Sequence, residues 1–263
     1  MLKAERETEV LRLLIGTDGG VLRVSQLSEA LDVSEMTIRR DLQSLEQRGL
    51  VRRVHGGAMH VSNRLLLEKS FNDRGREYNR EKAAIGRMAA SLVSEGDVVI
   101  LDAGTTTLQV ARHLEARRLT VVTNALPVAT ELAGREGVSA ILLGGNLKGP
   151  ELCTVGPITT ESLSQMAADT VFLSCSGFSL ERGLTDPDLR EAEVKRAMMR
   201  ASRRAVLVAD SSKYDSVSFA HIAPMGAVQV LVTDSGLSAE VQHTLEARGV
   251  RVVTAGPDGA RAH

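Results

Sequence analysis

The chain has 263 residues, room for one small and one larger domain, and its 43% hydrophobic and 25% charged content is that of a globular protein, not of a disordered or fibrous one. A formal net charge of -1 gives no global attraction to a polyanion, so any nucleic-acid contact must come from a local basic surface. With 2% aromatic residues and no Trp, binding by base stacking is disfavoured and the core falls to Val, Leu, Ile and Ala.

From the N-terminus, Ala4 to Ile15 is expected to be a helix turning Val10, Leu11, Leu14 and Ile15 inward. Asp18-Gly19-Gly20 ends it, and Val21 to Val24 reads as a short strand. A second short helix, Ser25 to Leu31, is separated from a third only by Asp32 and Val33, which is helix-turn-helix spacing. Ser34 can cap the third helix, and Glu35 places negative charge at its positive end. Ile38, Leu42 and Leu45 recur at i, i+4 and i+7 and form a core face. Met36, Arg40, Gln43 and Gln47 fall opposite, flanked by Thr37, Arg39 and Ser44. Gly49 is expected to end the helix in a left-handed conformation, and Leu50 to Val54 then meets His55-Gly56-Gly57 as a hairpin, or wing. Residues 1–60 carry nine basic and nine acidic side chains, yet between Thr37 and His55 five arginines oppose two acids. The donors crowd the first half of the third helix, the end that enters a major groove in helix-turn-helix proteins.

Val33 to Ala58, VSEMTIRRDLQSLEQRGLVRRVHGGA, resembles the signature of the DeoR family of bacterial transcription regulators. Helix position and this resemblance together assign Met36, Thr37, Arg39, Arg40 and Gln43 to the groove, and Ser34, Arg52, Arg53 and His55 to phosphates. Residues 1–57 are then a winged helix-turn-helix DNA-binding domain, 58–72 a linker, 73–255 a sensing domain and 256–263 a tail. Phe71, Arg74 and Lys82 also stand where such regulators carry similar residues.

Beyond the linker the pattern alternates. A helix from Arg80 to Glu95 precedes a strand at Val98 to Leu101. Further apolar strands are expected at Leu119 to Thr123, Ala140 to Leu143, Val171 to Ser174, Ala205 to Ala209 and Val228 to Thr233. Helices are expected at Leu108 to Ala116, Leu126 to Ala133, Ile158 to Met166, Arg190 to Arg203 and Leu237 to Arg248. Short apolar strands separated by helices indicate a mainly parallel sheet covered on both faces. The fold class is therefore α/β, with an N-terminal winged helix-turn-helix domain ahead of a larger α/β domain.

In such sheets ligands bind at the carboxyl ends of the strands. Asp102-Ala103-Gly104-Thr105-Thr106-Thr107 follows one strand and opens a helix, so its N–H groups and hydroxyls suit an anion; a tight turn with a Thr cap is the alternative. The GxxxxGK and GxGxxG spacings are absent. The resemblance extends here, since DeoR-family regulators carry a sensor domain similar to ribose-5-phosphate isomerase with DxGTTT, TN, GG and D-x-S-K steps. These stand at Asp102 to Thr107, Thr123-Asn124, Gly144-Gly145 and Asp210 to Lys213. The expected effector-binding set is thus Asp102, Gly104, Thr105, Thr106, Thr107, Thr123, Asn124, Gly144, Gly145, Gly177, Glu191, Lys195, Asp210 and Lys213. Glu191 and Lys195 read equally as a family-like EAxxK step or as a surface i, i+4 pair.

Cys153 and Cys175 lack any CxxC spacing and read as reduced thiols, while His113, His221 and His243 lack metal-ligand spacing. No metal or cofactor is expected. The charged N-terminus is unlike a signal peptide and no apolar run approaches a membrane span, so the chain is expected in the cytoplasm. The expected function is repression of a sugar-catabolism operon. Its partners are double-stranded operator DNA, a phosphorylated sugar or polyol, and further copies of the chain as a homodimer or homotetramer. The alternative is a sugar-phosphate isomerase fused to a DNA-binding module; a scaffold with an unused crevice is a third reading.

Overall fold

The structure, a computed structural model, describes residues 3–15, 21–48, 50–54, 56–60, 71–115 and 118–256. The chain divides into two units, Met1–Lys69 and Ser70–His263.

In the first unit α1 (Lys3–Ile15), β1 (Val21–Arg23), α2 (Val24–Leu31), α3 (Glu35–Gln47), β2 (Val51–Val54) and β3 (Gly57–His60) form a winged helix-turn-helix. Leu14, Leu27, Ile38, Leu42 and Leu45 meet in its core. The turn between α2 and α3 is made by Asp32 in the left-handed region, φ 50°, which Asp tolerates better than most side chains. Ser34 caps α3, its hydroxyl accepting the Thr37 N–H at 3.3 Å. The wing is a three-stranded antiparallel sheet in the order β1-β3-β2. The expected linker at 58–72 is shorter than that range: 58–60 belong to β3, and 71–72 to a helix of the second unit. The wing must pair both β1 and β2, so its last strand continues past the glycines. Gly49, the Asp18–Gly20 turn and residues 257–263 lie outside the described residues.

The second unit opens with α4 (Phe71–Arg76) and α5 (Asn79–Ala90), the latter preceded by Tyr78 at φ 51°. Its main sheet joins seven strands: β4 (Val98–Leu101), β5 (Leu119–Thr123), β6 (Val138–Leu142), β9 (Ala168–Leu173), β12 (Ser202–Val208), β14 (Val230–Asp234) and β15 (Arg251–Ala255). All neighbours are parallel, in the order β15-β14-β12-β9-β4-β5-β6. The chain thus walks from β4 out to β6, then returns to β9 and walks the other way, which places the switch point between β4 and β9. The central strands are buried runs of Val, Leu and Ile because helices cover them. Those helices form two packed series, α5 with α6 (Thr105–His113) and α7 (Leu126–Leu132), and α8 (Pro157–Ser164) with α9 (Leu189–Arg200); α10 (Ala239–Ala247) lies on β15. Five short antiparallel strands decorate the sheet. β7 (Asn146–Lys148) pairs with β8 (Cys153–Val155), and β10 (Gly177–Ser179) and β13 (Ala220–Ala223) flank β11 (Gly183–Asp186).

Candidate functional site

On the recognition helix α3, Met36, Arg39, Arg40 and Gln43 are exposed and Thr37 is half-buried, its hydroxyl 2.9 Å from that of Ser34. Arg39 pairs with Glu35 at 3.2 Å, leaving Arg40 as the exposed arginine of the helix with no ion-pair partner among the described residues. On the wing Arg53 is exposed and its backbone N–H donates to Glu46. His55 and the side chain of Arg52 lie outside the described residues. Asp41, on the core side of α3, is 1% exposed and accepts two bonds from the Arg6 guanidinium, at 2.5 and 3.1 Å. That bidentate pair raises the Arg6 pKa and pins α1 to α3.

At the switch point of the second unit, β4 runs into Asp102 and Gly104, and α6 begins at Thr105. Gly104 is extended, so its role is steric: a Cβ there would lie 2.6 Å from the Ser174 hydroxyl. Ser174, at the end of β9, donates both its N–H (3.0 Å) and its hydroxyl (3.1 Å) to Asp102. Lys195 reaches the same oxygen of Asp102 from α9 at 2.5 Å, and lies 3.7 Å from Asp186. Lys195 is 2% exposed; burial alone would lower its pKa, but Asp102, Asp186 and Glu191 outweigh this and raise it. Burial, aided by the charges of Glu191 and Asp102, holds Asp186 up at about 7 against the pull of Lys195.

In front of this buried triad lies a cleft lined by Gly104, Thr105, Thr106, Ser174, Cys175, Asp210 and Lys213, with Arg74 and Lys82 completing it. Three cations and the N-terminal turn of a nine-residue helix face one carboxylate, so the balance suits an anion. Lys82 is 5% exposed and gives its ammonium to the Arg74 carbonyl at 2.7 Å; burial is the main cause of its lowered pKa. Lys213 closes a short 3-10 turn, Ser211–Lys213, and has no ion-pair partner among the described residues. Tyr214 beyond it stacks edge-on against Phe178, ring centres 5.7 Å apart.

Of the sequence-derived effector set, Gly104, Thr105, Thr106, Asp210 and Lys213 line the cleft, with Asp102, Thr107 and Lys195 behind it. Thr107 donates to the Gly104 carbonyl and so shapes the turn. The other members stand elsewhere. Thr123 bonds the Leu101 carbonyl, and Asn124 ties β5 to the Thr154 carbonyl of β8. Gly144 accepts from Thr159, while Gly145, at φ 147°, fits where a Cβ would strike the Thr159 hydroxyl. Gly177 accepts from Thr185 within β10 and β11. Glu191 and Lys195 do not form their i, i+4 surface pair: both are buried, and Glu191 bonds Lys148 at 2.5 Å instead. Lys148 also lies 3.4 Å from Asp188, whose carboxylate is kept down at about 2, since bonds from Arg190 overcome its burial.

Arg74 comes from the margin of the expected linker and Lys82 from the expected helix Arg80 to Glu95, and only the family resemblance marked them. Ser174 closes the expected strand Val171 to Ser174, and Lys148 had no signal in the sequence. Both cysteine thiols are pushed up to about 12, chiefly by burial. Among the described residues no cluster of His, Cys, Asp or Glu is placed to hold a metal ion, and no helix is long and apolar enough to cross a membrane.

Residues 6–64 match the profile of a DeoR-like helix-turn-helix domain, and residues 77–235 that of a DeoR C terminal sensor domain. The chain is 39% identical to YulB, an uncharacterized HTH-type transcriptional regulator of Bacillus subtilis, over 96% of each chain. It is 38% identical to the transcriptional repressor AccR of Agrobacterium fabrum, over 88% of this chain and 90% of that one. A looser likeness joins it to ribose 5-phosphate isomerase A of Methanocaldococcus jannaschii: TM-score 0.39, 14% identity, 52% of this chain and 55% of that one. A likeness of that size carries no inference about activity.

Proposed function

Because the chain belongs to the DeoR family of helix-turn-helix transcriptional regulators, we propose that it represses a sugar-catabolism operon and is released when a phosphorylated sugar or polyol enters the cleft at the switch point. The observation that carries this reading is the convergence of Arg74, Lys82, Lys213 and the N-terminus of α6 on one small cleft. A phosphoryl group offers the charge and the acceptor oxygens those donors match. Effector binding then shifts the population of DNA-competent molecules.

On the DNA side, Arg40, Met36, Thr37, Gln43 and Arg39 face the major groove, and Ser34, Arg52, Arg53 and His55 contact phosphates. A homodimer or homotetramer supplies the two half-sites that one winged helix lacks, and the protein works in the cytoplasm. The isomerase alternative is weaker. Asp102, the motif carboxylate it would use as base, is 1% exposed, with one oxygen held by Lys195 and Ser174.

The test is Lys213→Met, which keeps most of the stem and removes the charge. A panel of sugar phosphates is screened by thermal shift, and the binder is titrated calorimetrically into wild type and variant. The variant is expected to keep operator binding and to lose about ten- to hundredfold in effector affinity, roughly 1.5–3 kcal/mol. Equal affinity in a folded variant would take the phosphate out of this cleft.

A further inference from the structure

Arg74 lies on α4, the first helix after the segment that joins the two units, and its side chain lines the cleft. Its guanidinium is held by Glu151, a carboxylate with 4% of its side chain exposed, through Nη2 and Oε2. Arg74 Nε and Glu151 Oε1 are both buried and have no hydrogen-bond partner among the described residues. Half of a bidentate match is therefore unmade, and the arginine keeps a donor for a second acceptor. Helix α4 is tied twice to the segment bearing Glu151, once by this ion pair and once by the Phe71 N–H, which donates to the Pro150 carbonyl at 3.0 Å. A third tie runs from Lys82, also of the cleft, to the Arg74 carbonyl.

We propose that Arg74 is a shared arginine: Glu151 holds it before effector binds, and the effector's phosphoryl group takes it over, loosening α4 from the Pro150–Glu151 segment. This rests on the phosphate reading of the cleft given above. The exchange is favoured because a phosphoryl dianion carries more charge than one carboxylate and is shared with Lys82 and Lys213. Glu151 is then left without its counter-ion and must move towards water, so the hairpin between β7 and β8 shifts as well. Effector binding thus becomes a change of footing in the helix from which the chain leads back to the DNA-binding unit.

The experiment uses the full chain with inorganic phosphate and ribose 5-phosphate as probes, titrated into wild type, Glu151→Gln, Arg74→Gln and the double variant. Glu151→Gln is expected to bind the probes about five- to tenfold more tightly, and Arg74→Gln about tenfold more weakly. The gain from Glu151→Gln should vanish in the double variant, because it acts through Arg74. Hydrogen exchange at Phe71–Arg76 should quicken on ligand binding in wild type and not in Arg74→Gln. Failure of both probes to bind wild type would overturn the phosphate reading itself. Binding with equal affinity to wild type and Glu151→Gln, or a gain that survives in the double variant, would leave the cleft in place and overturn the shared arginine.

Discussion

Lys195→Met tests whether the buried triad is held together by its single cation. Lys195 Nζ lies 2.5 Å from Asp102 and 3.7 Å from Asp186, and it accepts no help from water at 2% exposure. The methionine fills nearly the same volume, so the loss is electrostatic. Two carboxylates then remain buried without their counter-charge, and removing one partner of such a buried pair costs about 3–5 kcal/mol. The size should depend on pH. Asp186 has a raised pKa, about 7, so the folded state binds this proton more tightly than the unfolded chain, whose value is about 3.9. Its contribution to stability is fully present below about pH 4 and is lost as pH rises through about 7. Without Lys195 the folded value climbs further, so acid relieves the variant more than wild type. Urea unfolding followed by circular dichroism at about pH 8 and about pH 6 should show the deficit shrinking towards the lower pH. A deficit under about 1 kcal/mol at the higher pH, or one that ignores pH, would refute the reasoning.

Asp41→Ala should lower the melting temperature of the DNA-binding unit by several degrees, since it strands Arg6 and unties α1 from α3; Arg39→Ala, which breaks only an exposed pair with Glu35, should leave it unchanged by calorimetric scanning. Gly104→Ala places a methyl 2.6 Å from the Ser174 hydroxyl, so calorimetry should show effector binding lost while circular dichroism stays native; undiminished binding would mean that Ser174 can give way. Arg40→Ala should cost about 1–3 kcal/mol on operator DNA and little on scrambled DNA, whereas Arg53→Ala should weaken both alike and flatten the salt dependence. Gel-shift titrations on the two DNAs decide it, and equal losses for Arg40→Ala would move that arginine to the phosphate contacts.

The long-period features of the fold were legible because burial writes them into the chain. Val98–Leu101 and Leu119–Thr123 are strands over the residues their apolar runs mark out, and the Ile38, Leu42 and Leu45 stripe is the core face of α3. The short antiparallel strands β7, β8, β10, β11 and β13 were not legible, since runs of three or four residues are too short to carry a dependable alternation. Asp41 was overlooked because a charge on a core face makes sense only when Arg6, thirty-five positions earlier, is brought to it. The same distance problem hid the triad. Asp102 and Lys195 are separated by 93 positions, and the local spacing of Glu191 and Lys195 suggested a pair that neither residue makes. Strand ends marked the crevice, but only the topology of the sheet decides which of them meet. It brings the ends of β4, β9 and β12 together at one cleft, while Thr123, Asn124 and Gly144, at and beyond the neighbouring end of β5, are taken up by bonds within the fold.

The chain contains no Trp and two tyrosines, both in the second unit. Tyr78 is half exposed and its carbonyl accepts the backbone N–H of Lys82; Tyr214 directly follows Lys213 and rests on Phe178. The tyrosine emission of the protein therefore arises wholly in the second unit, from residues close in sequence to two lysines of the cleft, and the DNA-binding unit contributes none. Tyrosine fluorescence therefore offers a label-free probe of the unit proposed to bind effector. A change in that emission on adding operator DNA, beyond the loss caused by the DNA's own absorbance, would report that the two halves are coupled.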